Sequence, residues 1–171
     1  MAGSVSGQPG GRGLVASPWI LVDVTSFAWE YGAYTVGEGE SAHAVISSTD
    51  PGHQGLAAPE ILMHEPSRAI VAPVSGAVGA DLTRAAGELD VKPRWNLWHA
   101  ILFYTSGELT RQALAKRGVG NYQPFMIGMC ERGFAGFRQP LETHRQGYLD
   151  GKVSREAAIR PILIETSQPK N

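Results

Sequence analysis

The amino-acid sequence predicts one α+β domain with a small N-terminal sheet followed by a helical half. Three observations carry this expectation. Apolar, β-branched runs gather in the first third, the long helical patterns all come later, and strands and helices do not alternate as β-α-β units would require. No internal repeat is visible. At 171 residues the chain is long enough to bury most of its apolar surface around one core without disulfides or structural metals.

The elements follow in order. Met1 to Gly13 is Gly/Ser-rich and aperiodic, which reads as a flexible tail or linker, compatible with further chain upstream. The domain is expected over 14–167, with a short tail at 168–171. Ile20–Val24, Ala33–Val36 and Ala42–Ser47 are strand candidates by their apolar and β-branched content. Ser48 to Gly55 is dense in turn formers around Asp50-Pro51-Gly52. A helix is expected over Pro59–Val71, because proline loses nothing in a first turn and Glu60 suits the positive end of the dipole. A short helix over Ala80–Glu88 follows. Leu97–Arg117 is the longest helical candidate, free of proline and ended by Gly118. Pro140–Tyr148 makes another, and Ser154 is placed to cap a last helix over Arg155–Glu165, interrupted by Pro161.

Composition narrows the function. Fifteen basic side chains against 16 acidic ones, with no Lys/Arg block, argue against a nucleic-acid partner and against a polybasic membrane surface. No run reaches the roughly 18–20 apolar residues of a membrane span, and no basic-then-apolar leader opens the chain, so the sequence as given reads as cytoplasmic. The lone Cys130 rules out an internal disulfide framework and a multi-cysteine zinc site. The expected partner is a peptide or a small molecule.

One segment has a chemical accent: His64-Glu65-Pro66-Ser67-Arg68. In an HExxH helix, residues four apart share a face, two imidazoles hold one zinc ion, and the glutamate after the first histidine works as general base on the metal-bound water. Here the first ligand, His64, and the base, Glu65, are in place. The second ligand position holds Arg68, a permanent cation that repels a metal. Pro66 removes a backbone donor in mid-helix and predicts a kink. The plainer reading of His64 is a partly buried helix histidine.

Taken together, Ile46-Ser47-Ser48-Thr49-Asp50-Pro51, Gln54-Gly55, Glu60 to Glu65 and Leu97-Trp98-His99-Ala100-Ile101-Leu102-Phe103-Tyr104-Thr105-Ser106-Gly107-Glu108 resemble a bacterial group of HExxH zinc-peptidase-like proteins. The likeness spans roughly residues 22–150, and its Trp-His and Phe-Tyr-Thr-x-Gly-Glu segment is the most specific part. It implies a zincin-like, more narrowly gluzincin-like, fold in which two helices face each other and the second supplies an acidic ligand.

Spacing bears on which residue of the second helix would serve. His99 and Glu108 are nine apart, about 900° of rotation at about 100° per residue, so only one of them faces His64. Tyr104, Glu108, Arg111 and Ala115 form one stripe, and His99, Phe103, Ser106, Thr110 and Ala113 the other. Glu108 is chosen as the metal ligand, because a carboxylate in an apolar helix needs a partner or a metal. Its alternative is an ion pair with Arg111 on a solvated face, and His99 would then be a core histidine. Tyr122 is a candidate oxyanion stabiliser, with packing beside a turn as its alternative. His53 and His144 read as exposed, and the scattered tryptophans as packing residues.

Three functions are compatible with these residues. The first is a peptidase-related zinc hydrolase using Glu65, His64 and Glu108. The second is an inactive binding or structural module on the same scaffold, with Arg68 paired to Glu65 or Glu108. The third is a metal-free small-molecule site lined by Tyr104, Tyr122 and Phe125.

Overall fold

A computed structural model of the chain describes residues 21–26, 33–36, 43–72 and 76–169. Over these residues the fold is mixed α+β. The three expected strands form one sheet: β1 (Leu21–Thr25), β2 (Tyr34–Val36) and β3 (His43–Ser47), in the order β1-β3-β2. The central β3 runs parallel to β1, Leu21 opposite His43, and antiparallel to β2, Tyr34 opposite Val45. Ala44 and Ile46 alternate along β3 and are buried, the period-2 pattern of a sheet with one covered face.

That cover is α1 (Ala58–Ile70), which packs against β2 and β3 on one side and α3 on the other. Two short 3₁₀ turns, Pro51–His53 and Gly55–Ala57, lead into it, and the Asp50 carboxylate caps the first by accepting from the Gly52 amide at 2.8 Å. The helix continues through Pro66. Pro66, where a kink was expected, lacks the backbone donor of its turn without ending the helix.

α2 (Ala77–Leu89) is three residues longer at its start than its pattern predicts, and ends on Asp90 in the left-handed region, φ 52°. α3 (Leu97–Ala115) keeps the expected start and ends two residues early, in a turn that reaches Gly118 at φ +87°. α4 (Phe125–Cys130) was not expected from the sequence. The next helical stretch begins earlier than Pro140: α5 (Arg138–Pro140) passes into a π-helical turn, Leu141–Arg145, and then α6 (Gln146–Leu149). α7 (Arg155–Thr166) is capped by Ser154, which accepts from the Ala157 amide, and Pro161 does not interrupt it.

β4 (Val91–Lys92) pairs antiparallel with β5 (Gln168–Pro169). Residues 168 and 169 therefore belong to the domain and not to a tail, because they satisfy the backbone of β4. The expected tail at 1–13, Trp19, Trp29 and the first residues of two strand candidates, Ile20 and Ala42, lie outside the described residues. The core is built from α2, α3, α7 and the 126–141 segment, around Leu97, Ile101, Phe137, Leu141, Ile159 and Leu163. Among the described residues no helix is long and apolar enough to cross a membrane.

Candidate functional site between α1 and α3

The buried faces of α1 and α3 meet at two imidazoles. His64, fully buried, and His99, in the first turn of α3, bring their Nε2 atoms to 3.1 Å. The His64 ring stacks on Phe103 with centroids 3.7 Å apart, and His99 lies between Trp98 (4.8 Å) and the edge of Phe134 (5.7 Å). His99 and Phe103 belong to one helical stripe, so both point at α1. Desolvation by these rings is the main reason that His64 is lowered to about 2 and His99 to about 4, and the Arg68 charge adds to both. Both imidazoles are therefore neutral at pH 7.

Glu65 is also buried, and its Oε1 comes within 3.9 Å of His64 Nε2. Its other oxygen, Oε2, accepts from Thr35 at 2.7 Å and from Arg68 Nη1 at 3.2 Å. Thr35 Oγ1 also stands 2.7 Å from the Glu65 carbonyl, so β2 is tied to α1 at this residue. The Arg68–Glu65 pairing is the one weighed for an inactive scaffold.

The structure separates other expected partners. His99, not Glu108, faces His64. Glu108 is gripped by Arg111, whose Nε and Nη2 donate to its two oxygens at 2.7 and 2.5 Å, with Gln112 adding a bond at 3.1 Å. His99 and Glu108 do lie on different faces of α3, and the face toward His64 carries His99. A carboxylate that needs a partner finds one three residues away on its own helix, whereas the aromatic stripe must turn inward. Glu108 is nevertheless buried, so the pair does not lie on a solvated face.

Tyr122 is likewise committed elsewhere. Its hydroxyl donates to Glu60 Oε2 at 2.5 Å, and the Phe125 amide reaches the same carboxylate at 3.1 Å. Burial pushes Glu60 above the ordinary carboxylate range, partly offset by these two bonds. Glu60, read from sequence as a dipole residue, is in fact a fully buried anchor for the chain entering α4. A glutamate one turn before His64 on the same face was the available signal.

His53 is not exposed: its ring accepts from the Ser47 amide at 3.3 Å. His144 bonds Glu165 at 2.6 Å. Trp95, expected to pack, is 84% exposed. Among the described cavities, none is lined by Tyr104, Tyr122 and Phe125 together. Tyr104 borders a cavity of about 180 Å³ with Glu108, Arg111 and Cys130, and Tyr122 and Phe125 are absent from its lining.

Two imidazole nitrogens 3.1 Å apart suit either one N–H···N hydrogen bond or two ligands of a shared metal ion, for which tetrahedral zinc geometry gives about 3.3 Å. Three observations bear against a resident catalytic zinc. Such sites take three protein ligands, and the third place here holds the Arg68 guanidinium, whose charge acts on both rings. Metal-bound histidines donate their second ring nitrogen to an acceptor, yet His64 Nδ1 is buried with no partner. Among the described residues no three His, Cys, Asp or Glu side chains are grouped to hold a metal. Among the described residues the donor set falls short of the three protein ligands that such a site takes.

Compared with protein-family models, curated proteins and solved structures, the chain matches none.

Proposed function

We propose that this chain is a peptidase-related, zincin-like domain without hydrolytic activity of its own, which serves as a binding module for a peptide or small molecule. The observation that carries this reading is the Arg68–Glu65 ion pair beside the His64–His99 pair. A general base of this class works on a water that a metal has activated. Glu65 turns Oε1 toward His64 at 3.9 Å, but its Oε2 is the counter-ion of a guanidinium on the residue that stands at the second ligand position. The two imidazoles are neutral and in place, and the positive charge a hydrolase would take from zinc comes from Arg68, which cannot be a Lewis acid or ionise a water.

Metal analysis of the full-length chain and of Arg68→His, both dialysed against zinc and then against buffer, tests this. The native chain is expected to retain well under one zinc per chain and to cleave no peptide. Arg68→His supplies a third imidazole one turn from His64 and is expected to approach one zinc per chain. Stoichiometric zinc with peptidase activity in the native chain would overturn the proposal. So would failure of a folded Arg68→His to gain metal, since the scaffold would then not be a zincin.

A further inference from the structure

Beside the α1–α3 contact lies a cavity of about 510 Å³ that neither His64 nor His99 lines, within the roughly 300–1,000 Å³ typical of small-ligand sites. Its walls are mostly apolar: Met63 from α1, Val71 beyond it, Val78 from α2, Leu102 and Leu109 from α3, and Leu149 from α6. Into this lining the π-helical turn delivers Arg145. Only 3% of Arg145 is exposed. Its Nε donates to Thr105 Oγ1 at 3.1 Å, and its guanidinium lies 4.5 Å from the centre of the Tyr148 ring, another wall of the cavity. Nη1 is buried with no acceptor at all.

Among the described residues no carboxylate comes within ion-pairing distance of Arg145. Asp81, whose field reaches it, is already spent: Oδ1 accepts from Arg84 at 2.8 Å and Oδ2 from Arg155 at 2.5 Å. Burial pulls Arg145 down to about 10, so it keeps its charge at neutral pH. A buried, charged and half-bonded guanidinium is costly unless something else completes it. The planar fork of arginine matches a carboxylate best.

We infer that this cavity is a binding site for an apolar monocarboxylate, its carboxylate received by Arg145 and its hydrocarbon part lying against Val78, Leu102 and Leu109. This site does not depend on the reading of the His64 centre. Two sources offer such chemistry, a free organic acid and the C-terminus of an apolar peptide.

Calorimetric titration of the full chain with octanoate, 1-octanol, acetyl-Leu-Leu and acetyl-Leu-Leu amide tests the site. At least one acid is expected to bind saturably, at least tenfold tighter than its neutral counterpart. Tight binding by octanoate assigns a free acid, and tight binding by acetyl-Leu-Leu alone assigns a peptide terminus. Arg145→Met is expected to abolish the acid preference, and Arg145→Lys to restore part of it. Should Arg145→Met not fold, Ala77→Phe, which fills the cavity from its α2 wall, is expected to reduce binding of both acids at least tenfold. Equal binding of acid and neutral forms, no saturable binding, or unchanged affinity in a folded Ala77→Phe would overturn the inference.

Discussion

Acidification is expected to unfold this protein through its two buried imidazoles. His64 and His99 are lowered to about 2 and about 4, chiefly by desolvation, whereas in the unfolded chain each titrates near 6.5. The folded state refuses protons that the unfolded state accepts, so stability is complete above the unfolded value and is lost as pH falls below it. Between about pH 6 and about pH 5 the unfolded imidazoles are mostly protonated and the folded ones are not, which costs about 1.2 kcal/mol per histidine and about 2.4 kcal/mol for the pair. Urea unfolding in the presence of a chelator, read at both pH values, measures this directly. Other titrating groups contribute, so the comparison is with His99→Phe, which keeps a ring between Trp98 and Phe134. That variant is expected to lose about 1.2 kcal/mol less than the native chain over the same interval. An identical pH dependence in the two proteins would refute the reasoning, since it would mean that His99 already carries a proton in the fold.

Two further predictions concern the Glu60 anchor. Tyr122→Phe removes the hydroxyl that donates to a fully buried carboxylate and is expected to cost about 1–3 kcal/mol, read as a lower urea midpoint at constant m. Gly107→Ala would improve helix propensity by about 1 kcal/mol, but its Cβ would stand 2.7 Å from Pro124 Cβ and 3.0 Å from Glu60 Oε1. Overpacking of about 1–3 kcal/mol is expected to win or at least cancel that gain, so a variant clearly more stable than the native chain in the same assay would show that the α3–Pro124 approach is loose.

Strand positions, the two main helices and the N-cap of α7 were legible because period, turn chemistry and capping are local. The Arg68–Glu65 pair was legible too, because residues three apart on a helix meet wherever the helix goes. What the sequence could not rank was α3. Both of its stripes carry a titratable residue, and which stripe turns inward depends on what packs against His99 and Phe103, namely His64 and Phe134 from distant segments. The same holds for Tyr122 and Glu60, separated by 62 residues and joined only once the loop after α3 folds back. Pro161 misled for a related reason: a proline costs one bond and a local clash, and the burial of Ile159, Ile162 and Leu163 around it outweighs that penalty.

The Thr35 hydroxyl stands at equal distance from two oxygens of Glu65 but carries a single hydrogen. It can therefore latch only one of them at any instant, and the edge of the sheet hangs from a residue with a second possible allegiance, to the imidazoles. Swinging the Glu65 side chain toward His64 would leave β2 held there through the main-chain carbonyl alone, which makes the amide exchange of a three-residue strand a sensitive gauge of events at the helix pair.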